Sequence, residues 1–128
     1  MKKIALILGV SLALFGAHGN TNDKDLQLAL KGKYKEAFRG FYKRCERNDG
    51  YACGMVGFFY DKGFGVKKNH KEAIKFYKKG CELKDADSCT LLGYYAYQEG
   101  KKQEAKELLK KACKLGNKDA CNYLSKIN

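Results

Sequence analysis

Apolar residues fall in helical rows along most of this chain. Ala105, Leu108, Leu109, Ala112 and Cys113 are spaced i, i+3, i+4, i+7, i+8, which gathers them on one face of a helix. Ala73, Phe76, Tyr77, Gly80 and Cys81 repeat the same offsets. Shorter rows run through Cys53, Val56, Gly57 and Tyr60, and through Cys89, Leu92, Gly93 and Ala96. There is no proline and no sustained apolar–polar alternation, so strands are not expected. The rows predict helices near 24–31, 33–47, 50–62, 69–84, 86–99, 101–115 and 118–126.

Polar residues punctuate these rows where helices should begin. Asp49, Asp85 and Asn117 are all good N-cap types, whose side-chain oxygen satisfies a free backbone N–H in the first turn. Asn69 and Glu72 have the spacing of a capping box. Gly116 follows Leu115 as a predicted helix C-cap.

Overlaying the cysteines exposes a repeat. "CERNDGYAC", "CELKDADSC" and "CKLGNKDAC" share one spacing, Cys45 to Cys53, Cys81 to Cys89 and Cys113 to Cys121. The residues leading into them are "KEAFRGFYKRC", "KEAIKFYKKGC" and "QEAKELLKKAC". Glu36, Glu72 and Glu104 coincide in this register, as do Ala37, Ala73 and Ala105, and after the second cysteines Gly57, Gly93 and Ser125 coincide. The period is 36 residues, then 32, with two helices each. Such a period marks an α-solenoid, in which each helix pair buries its apolar face against the next. Repeats are expected at about 51–85 and 86–117, with partial ones at about 33–50 and 118–128.

"DKGFGVKKNHKEAIKFYKKGCELKD" resembles the Sel-like repeat, a relative of the tetratricopeptide repeat. The matching elements are the Gly63-Phe64-Gly65-Val66 loop, Lys68-Asn69, Lys71-Glu72-Ala73 and Phe76-Tyr77. With the recurring cysteine pair, the chain is similar to the Helicobacter-type cysteine-rich secreted proteins over roughly residues 33–126. That resemblance implies an all-α, right-handed α/α superhelix, a disulfide within each cysteine pair, and a penicillin-binding, weakly active β-lactamase. One departure is plain: the second full repeat lacks the Gly-x-Gly-Val loop.

The N-terminus bears on compartment. Lys2 and Lys3, the apolar run Ile4–Phe15 and the small residues near Ala17 and Gly19 have the order of a secretory signal peptide. The expected division is a signal peptide over 1–19 and a single repeat domain over 20–128. The apolar run is shorter than the roughly 20 residues of a membrane span, so no integral membrane segment is expected after cleavage. Export allows disulfides.

Six cysteines permit fifteen pairings. Equal spacing at equivalent repeat positions argues for Cys45–Cys53, Cys81–Cys89 and Cys113–Cys121. Structural zinc favours closer pairs with histidines, and beyond the signal peptide His70 is the one histidine. It is expected as a solvated residue at a helix start. Redox catalysis wants C-x-x-C, which is absent. No metal and no cofactor are expected.

The chain carries 26 Lys+Arg against 14 Asp+Glu. Arginine is confined to Arg39, Arg44 and Arg47, and no groove-entering motif accompanies it, so nucleic acid is not an expected partner. A serine β-lactamase wants S-x-x-K with S-D-N and K-T-G; none occurs, and Ser88 and Ser125 are the only serines after the leader. Glu36, Glu72 and Glu104 fall in first helical turns, where a carboxylate favours the helix dipole.

Binding is the remaining reading. Phe58, Phe59 and Tyr60, with Tyr94, Tyr95 and Tyr97, either pack between repeats or line a lysine-rimmed aromatic groove. The expected function is a secreted or periplasmic, monomeric binding module for a peptide, protein or cell-wall fragment. The alternative is the β-lactamase activity that the resemblance implies, with a β-lactam as substrate.

Overall fold

The computed structural model describes residues 22–127; the expected signal peptide, 1–19, lies outside the described residues. Seven helices follow one another among these residues: α1 (Lys24–Leu30), α2 (Tyr34–Glu46), α3 (Gly50–Lys62), α4 (His70–Glu82), α5 (Ala86–Gln98), α6 (Lys102–Lys114) and α7 (Lys118–Ile127). They form an all-α solenoid. Each expected helix is present; 50–62 matches at both ends, α7 runs one residue past the expected 126, and the other five are a residue or two shorter at one or both ends because the expected ranges had counted cap residues as helix.

The junctions are built to one plan. Where α2 ends, the N–H of Asn48 bonds to Cys45 O and that of Asp49 to Arg44 O. Lys84 and Asp85 make the same pair of bonds to Cys81 and Gly80, and Gly116 and Asn117 make it to Cys113 and Ala112. This is the Schellman motif, which needs a left-handed residue at its turn. Gly116 supplies it at φ 105°, whereas Asn48 and Lys84 adopt it at φ 66° and 68° despite their side chains. The last residue of each motif then opens the next helix. Asp49 accepts from Ala52 N–H, Asp85 from Ser88 N–H and Asn117 from Ala120 N–H. Asn69 caps α4 in the same way through Glu72 N–H.

Helices of a pair meet through glycine. A Cβ on Gly57 would stand 2.7 Å from the Tyr77 ring, and one on Gly93 would stand 2.8 Å from Leu109. These approaches let α3 pack closely on α4, and α5 on α6, which are the two most extensive interfaces of the array. The junctions between pairs are less extensive, and those are the ones the disulfides cross. Cys45–Cys53 ties α2 to α3, Cys81–Cys89 ties α4 to α5, and Cys113–Cys121 ties α6 to α7. Non-covalent packing holds each pair, and covalent bonds hold pair to pair.

Burial follows from position. α3 is enclosed from Ala52 to Phe59, and α5 from Asp87 to Gly93. The partner helices are covered on one stripe only: Ala37, Phe41 and Cys45 in α2, then Ala73, Tyr77, Gly80 and Cys81 in α4, then Ala105, Leu109 and Ala112 in α6. That is why the apolar rows are clean in α2, α4 and α6 but blurred in α3 and α5.

Candidate functional site

The six aromatic positions expected to form a groove part company in the structure. Phe58 and Phe59 are buried, at 2% and 1% exposure. Of the two alternatives for these residues, packing or a groove, their burial fits packing. The cause is the loop after α3. Gly65 sits at φ 71° with its α-carbon against the Tyr34 and Lys35 backbone, an approach that a Cβ would block. Phe64 thereby stacks on Tyr34 at 4.4 Å and lies edge-on to both Phe58 and Phe59. After α5 the tight turn through Gly100 offers no such cover, so Tyr94 and Tyr95, at the equivalent positions, stay half-buried. Tyr97 is 47% exposed.

Tyr60 is half-buried in a closed ring of four aromatic side chains. It stands edge-on to Phe38 at 5.5 Å and stacks on Phe76 at 5.8 Å. Tyr42 completes the circuit, 5.7 Å from Phe76 and 5.8 Å from Phe38. These rings fill the space between α2 and α4, above α3. Pairs of this kind add roughly 0.5–1.5 kcal/mol each beyond area burial.

The corresponding space between α4 and α6, above α5, is open. Its floor is Leu92 and Ala96, its walls are Ile74 and Leu108, and Tyr95 closes one end. The deep part holds roughly 150 Å³. It continues into a shallower depression of roughly 800 Å³ along the outer face of α4. Lys71, Lys75, Lys78, Lys79 and Lys101 rim this surface, against Glu82, Glu99 and Glu104.

Tyr95 is held by a residue that sequence reasoning missed. Its hydroxyl donates to Asp61 Oδ2 at 2.7 Å, and the Tyr77 hydroxyl donates to the same oxygen at 3.0 Å. His70 Nδ1 lies 2.9 Å from Asp61 Oδ1, and its ring meets Tyr95 edge-on at 4.8 Å. The Asp61 side chain is only 8% exposed, so these contacts replace its water. His70 is about half exposed, as a helix-start residue should be, but it is anchored rather than solvated all round. Burial raises the pKa of Tyr77 and Tyr95, and the Asp61 charge raises both further, so both hydroxyls stay protonated donors. The one sequence signal was an aspartate in the last turn of an otherwise buried helix.

A second polar cluster sits at the N-terminal end. Arg44 Nη1 bonds both Asp23 oxygens, at 2.9 and 2.8 Å, and Arg44 Nε bonds Asp49 Oδ2 at 3.0 Å. Asp23 and Asp49 are themselves helix caps, so one guanidinium fixes the starts of α1 and α3. Its central carbon lies over the rings of Phe41 and Tyr51, 5.3 and 5.8 Å from their centres.

Hydrolytic chemistry finds no footing in these positions. Ser88 is fully buried, and its hydroxyl donates to the capping carboxylate of Asp85. Ser125 is exposed, but its hydroxyl donates to Asn122 O rather than to a base. Among the described residues no cluster of His, Cys, Asp or Glu is arranged to hold a metal ion. No helix among them is long and apolar enough to cross a membrane.

Known proteins bring the same architecture. The Sel1 repeat family matches residues 50–85, and the tetratricopeptide repeat family matches residues 86–119. The solved structure of Helicobacter pylori cysteine rich protein B superposes with a TM-score of 0.73 at 32% identity, covering 96% of this chain and 92% of that one. The chain belongs to the Sel1-repeat, cysteine-rich protein family. A Sel1 repeat protein from Oxalobacter formigenes is also similar, with a TM-score of 0.70 and 28% identity over 78% of this chain. This chain spans 43% of that longer protein. No curated protein sequence matches significantly. Sel1 and tetratricopeptide repeats form protein-interaction modules, and this cysteine-rich Sel1 protein has the architecture of one. Its three disulfides suit an oxidising compartment outside the cytoplasm.

Proposed function

We propose that this Sel1-repeat protein is a secreted or periplasmic binding module for a partner protein or peptide. The observation that carries the reading is the cross-linking of every junction between helix pairs in the array. A solenoid of so few repeats has little cooperative core to keep its faces aligned. Stapling the junctions presents a surface whose shape is set before binding, which lowers the ordering cost of association. The absence of a reachable nucleophile–base pair at Ser88 and Ser125 leaves the β-lactamase alternative without supporting geometry.

The test is affinity capture from cell-envelope extract with oxidised protein, followed by titration of each captured component in purified form. Saturable binding to a protein or peptide, lost on reduction, is the expected result. Saturable binding to a glycan fragment alone would move the ligand class to the cell wall. Fractionation with N-terminal sequencing checks the compartment: a mature chain beginning near residue 20 is expected outside the cytoplasm.

A further inference from the structure

The two grooves of the array are the same groove in successive repeats. Phe38 and Ile74 both lie seven residues before the first cysteine of their pairs, and Tyr42 and Lys78 both lie three before. Phe76 and Leu108 both lie five before, and Tyr60 and Ala96 both lie seven after a second cysteine. The first groove is therefore filled by the chain's own rings, and the second has had each ring replaced. Ala96 in particular leaves vacant the volume that the Tyr60 ring occupies one repeat earlier.

We propose that the cleft between α4 and α6 docks an acidic peptide segment of a partner protein, with one aromatic side chain inserted where the preceding repeat holds Tyr60. This rests on the binding-module reading and names the partner's chemistry. Three observations support it. The first groove is an internal template, since Tyr60 shows that an aromatic ring fits between a wall at the Phe38 position and a wall at the Phe76 position. The second observation is size: the open part holds roughly 150 Å³, with Ile74, Leu92, Ala96 and Leu108 among polar neighbours, and about that volume is enough for a benzene ring in an enclosed apolar cavity. The third is charge. The pit itself carries Lys78 and Lys101 against Glu99 and Glu104, and the depression it opens into adds Lys71, Lys75 and Lys79 against Glu82, so the surface around the pit is positive. The chain's net charge of +12, which is +10 without Lys2 and Lys3 of the expected signal peptide, adds a long-range field that draws an acidic segment in. Lysines supply attraction and the pit supplies the anchor, the usual division between a polar rim and a buried hot spot.

A random peptide library displayed on phage, selected against the oxidised protein, tests this. Selected sequences should combine acidic residues with Phe, Tyr or Trp. Synthetic peptides of those sequences should then be titrated by fluorescence anisotropy. Ala96→Tyr, which refills the pit with the template's own residue, should weaken binding by about tenfold or more. The surface pair Lys75→Glu with Lys78→Glu should weaken it similarly and flatten its salt dependence. This pair keeps the test decisive should Ala96→Tyr fail to fold. Lys110→Glu, on α6 away from the groove, should change binding little. Selected peptides that bind all variants equally would overturn the groove while leaving the binding module standing. So would selected peptides that lacked an aromatic residue, or a single-stranded oligonucleotide that competed fully for the site. A selection that enriched nothing would overturn both.

Discussion

The Tyr95 hydroxyl donates to Asp61 across 2.7 Å, joining α5 to α3 over a separation of 34 residues. Tyr77 of α4 shares the same oxygen, so a single carboxylate ties three helices. A hydrogen bond to a charged group contributes about 1.5–3 kcal/mol. Tyr95→Phe should lower the stability by that amount in urea unfolding with the disulfides intact. Asp61→Ala should cost more, because it leaves the buried Tyr77 hydroxyl unpaired. Equal stability of Asp61→Ala and the parent chain would show that the network is incidental.

Alkaline pH should weaken the fold through the same residues. The pKa values of Tyr77 and Tyr95 are raised above 10.0 in the folded chain by burial and then by Asp61. Above about pH 10 the unfolded chain loses these protons first, so the unfolded state binds fewer protons and stability falls as pH rises. Their contribution is complete below about pH 10 and is lost progressively above it. Thermal unfolding at about pH 9 and pH 11 checks this, and Tyr95→Phe should show the shallower decline.

Each disulfide closes a loop of the same length, which chain entropy values at roughly 2.5 kcal/mol. Replacing Cys45 and Cys53 together by alanine, or Cys113 and Cys121 together, should therefore cost similar amounts in denaturant titrations. A pair whose removal leaves the midpoint unchanged would show that its junction is held by packing alone.

Gly57→Ala and Gly93→Ala should each destabilise by about 1–3 kcal/mol, the range for overpacking a close helix contact. The added methyl meets Tyr77 in one case and Leu109 in the other. Thermal unfolding of the two variants is the measurement, and Gly57→Ala should be the worse because a ring inside the array has less room to move than Leu109. Gly32→Ala is the contrasting control: no neighbour lies within 4 Å, but its φ of 80° is a strained one for alanine.

Oxidised protein should not turn over a chromogenic cephalosporin. Ser88 is closed off and committed to Asp85, and Ser125 has no adjacent base. Steady multiple turnover that survives both Ser88→Ala and Ser125→Ala would reveal a nucleophile elsewhere in the chain.

Local signals were legible because they need only neighbours in sequence. The cap residues Asp49, Asp85 and Asn117, the repeated cysteine pair and the apolar rows each report on a single turn or a single helix face. The recurrence of Gly57 and Gly93 in register was legible too, and the structure places both at close helix contacts. The groove was legible only in part. Phe59 and Tyr95 are equivalent in register, yet the loop carrying Phe64 buries the first and leaves the second half-open. Loop docking depends on Gly65 meeting the backbone of α2, a contact over some thirty residues that no periodicity encodes.

From the sequence alone came the helices, their capped junctions, the repeat and its register, because these are set by hydrogen bonds and side-chain rows within a few residues. Only the tertiary structure decided which aromatic rings are core and which surface, that Asp61 gathers Tyr77, Tyr95 and His70, and that one groove is filled while its twin stands open. Those outcomes depend on how much volume separate helices bring to a shared space. Replacing Tyr60 with Ala96 one repeat later reads as a minor change along the chain, and it becomes a cavity only when α4, α5 and α6 surround it.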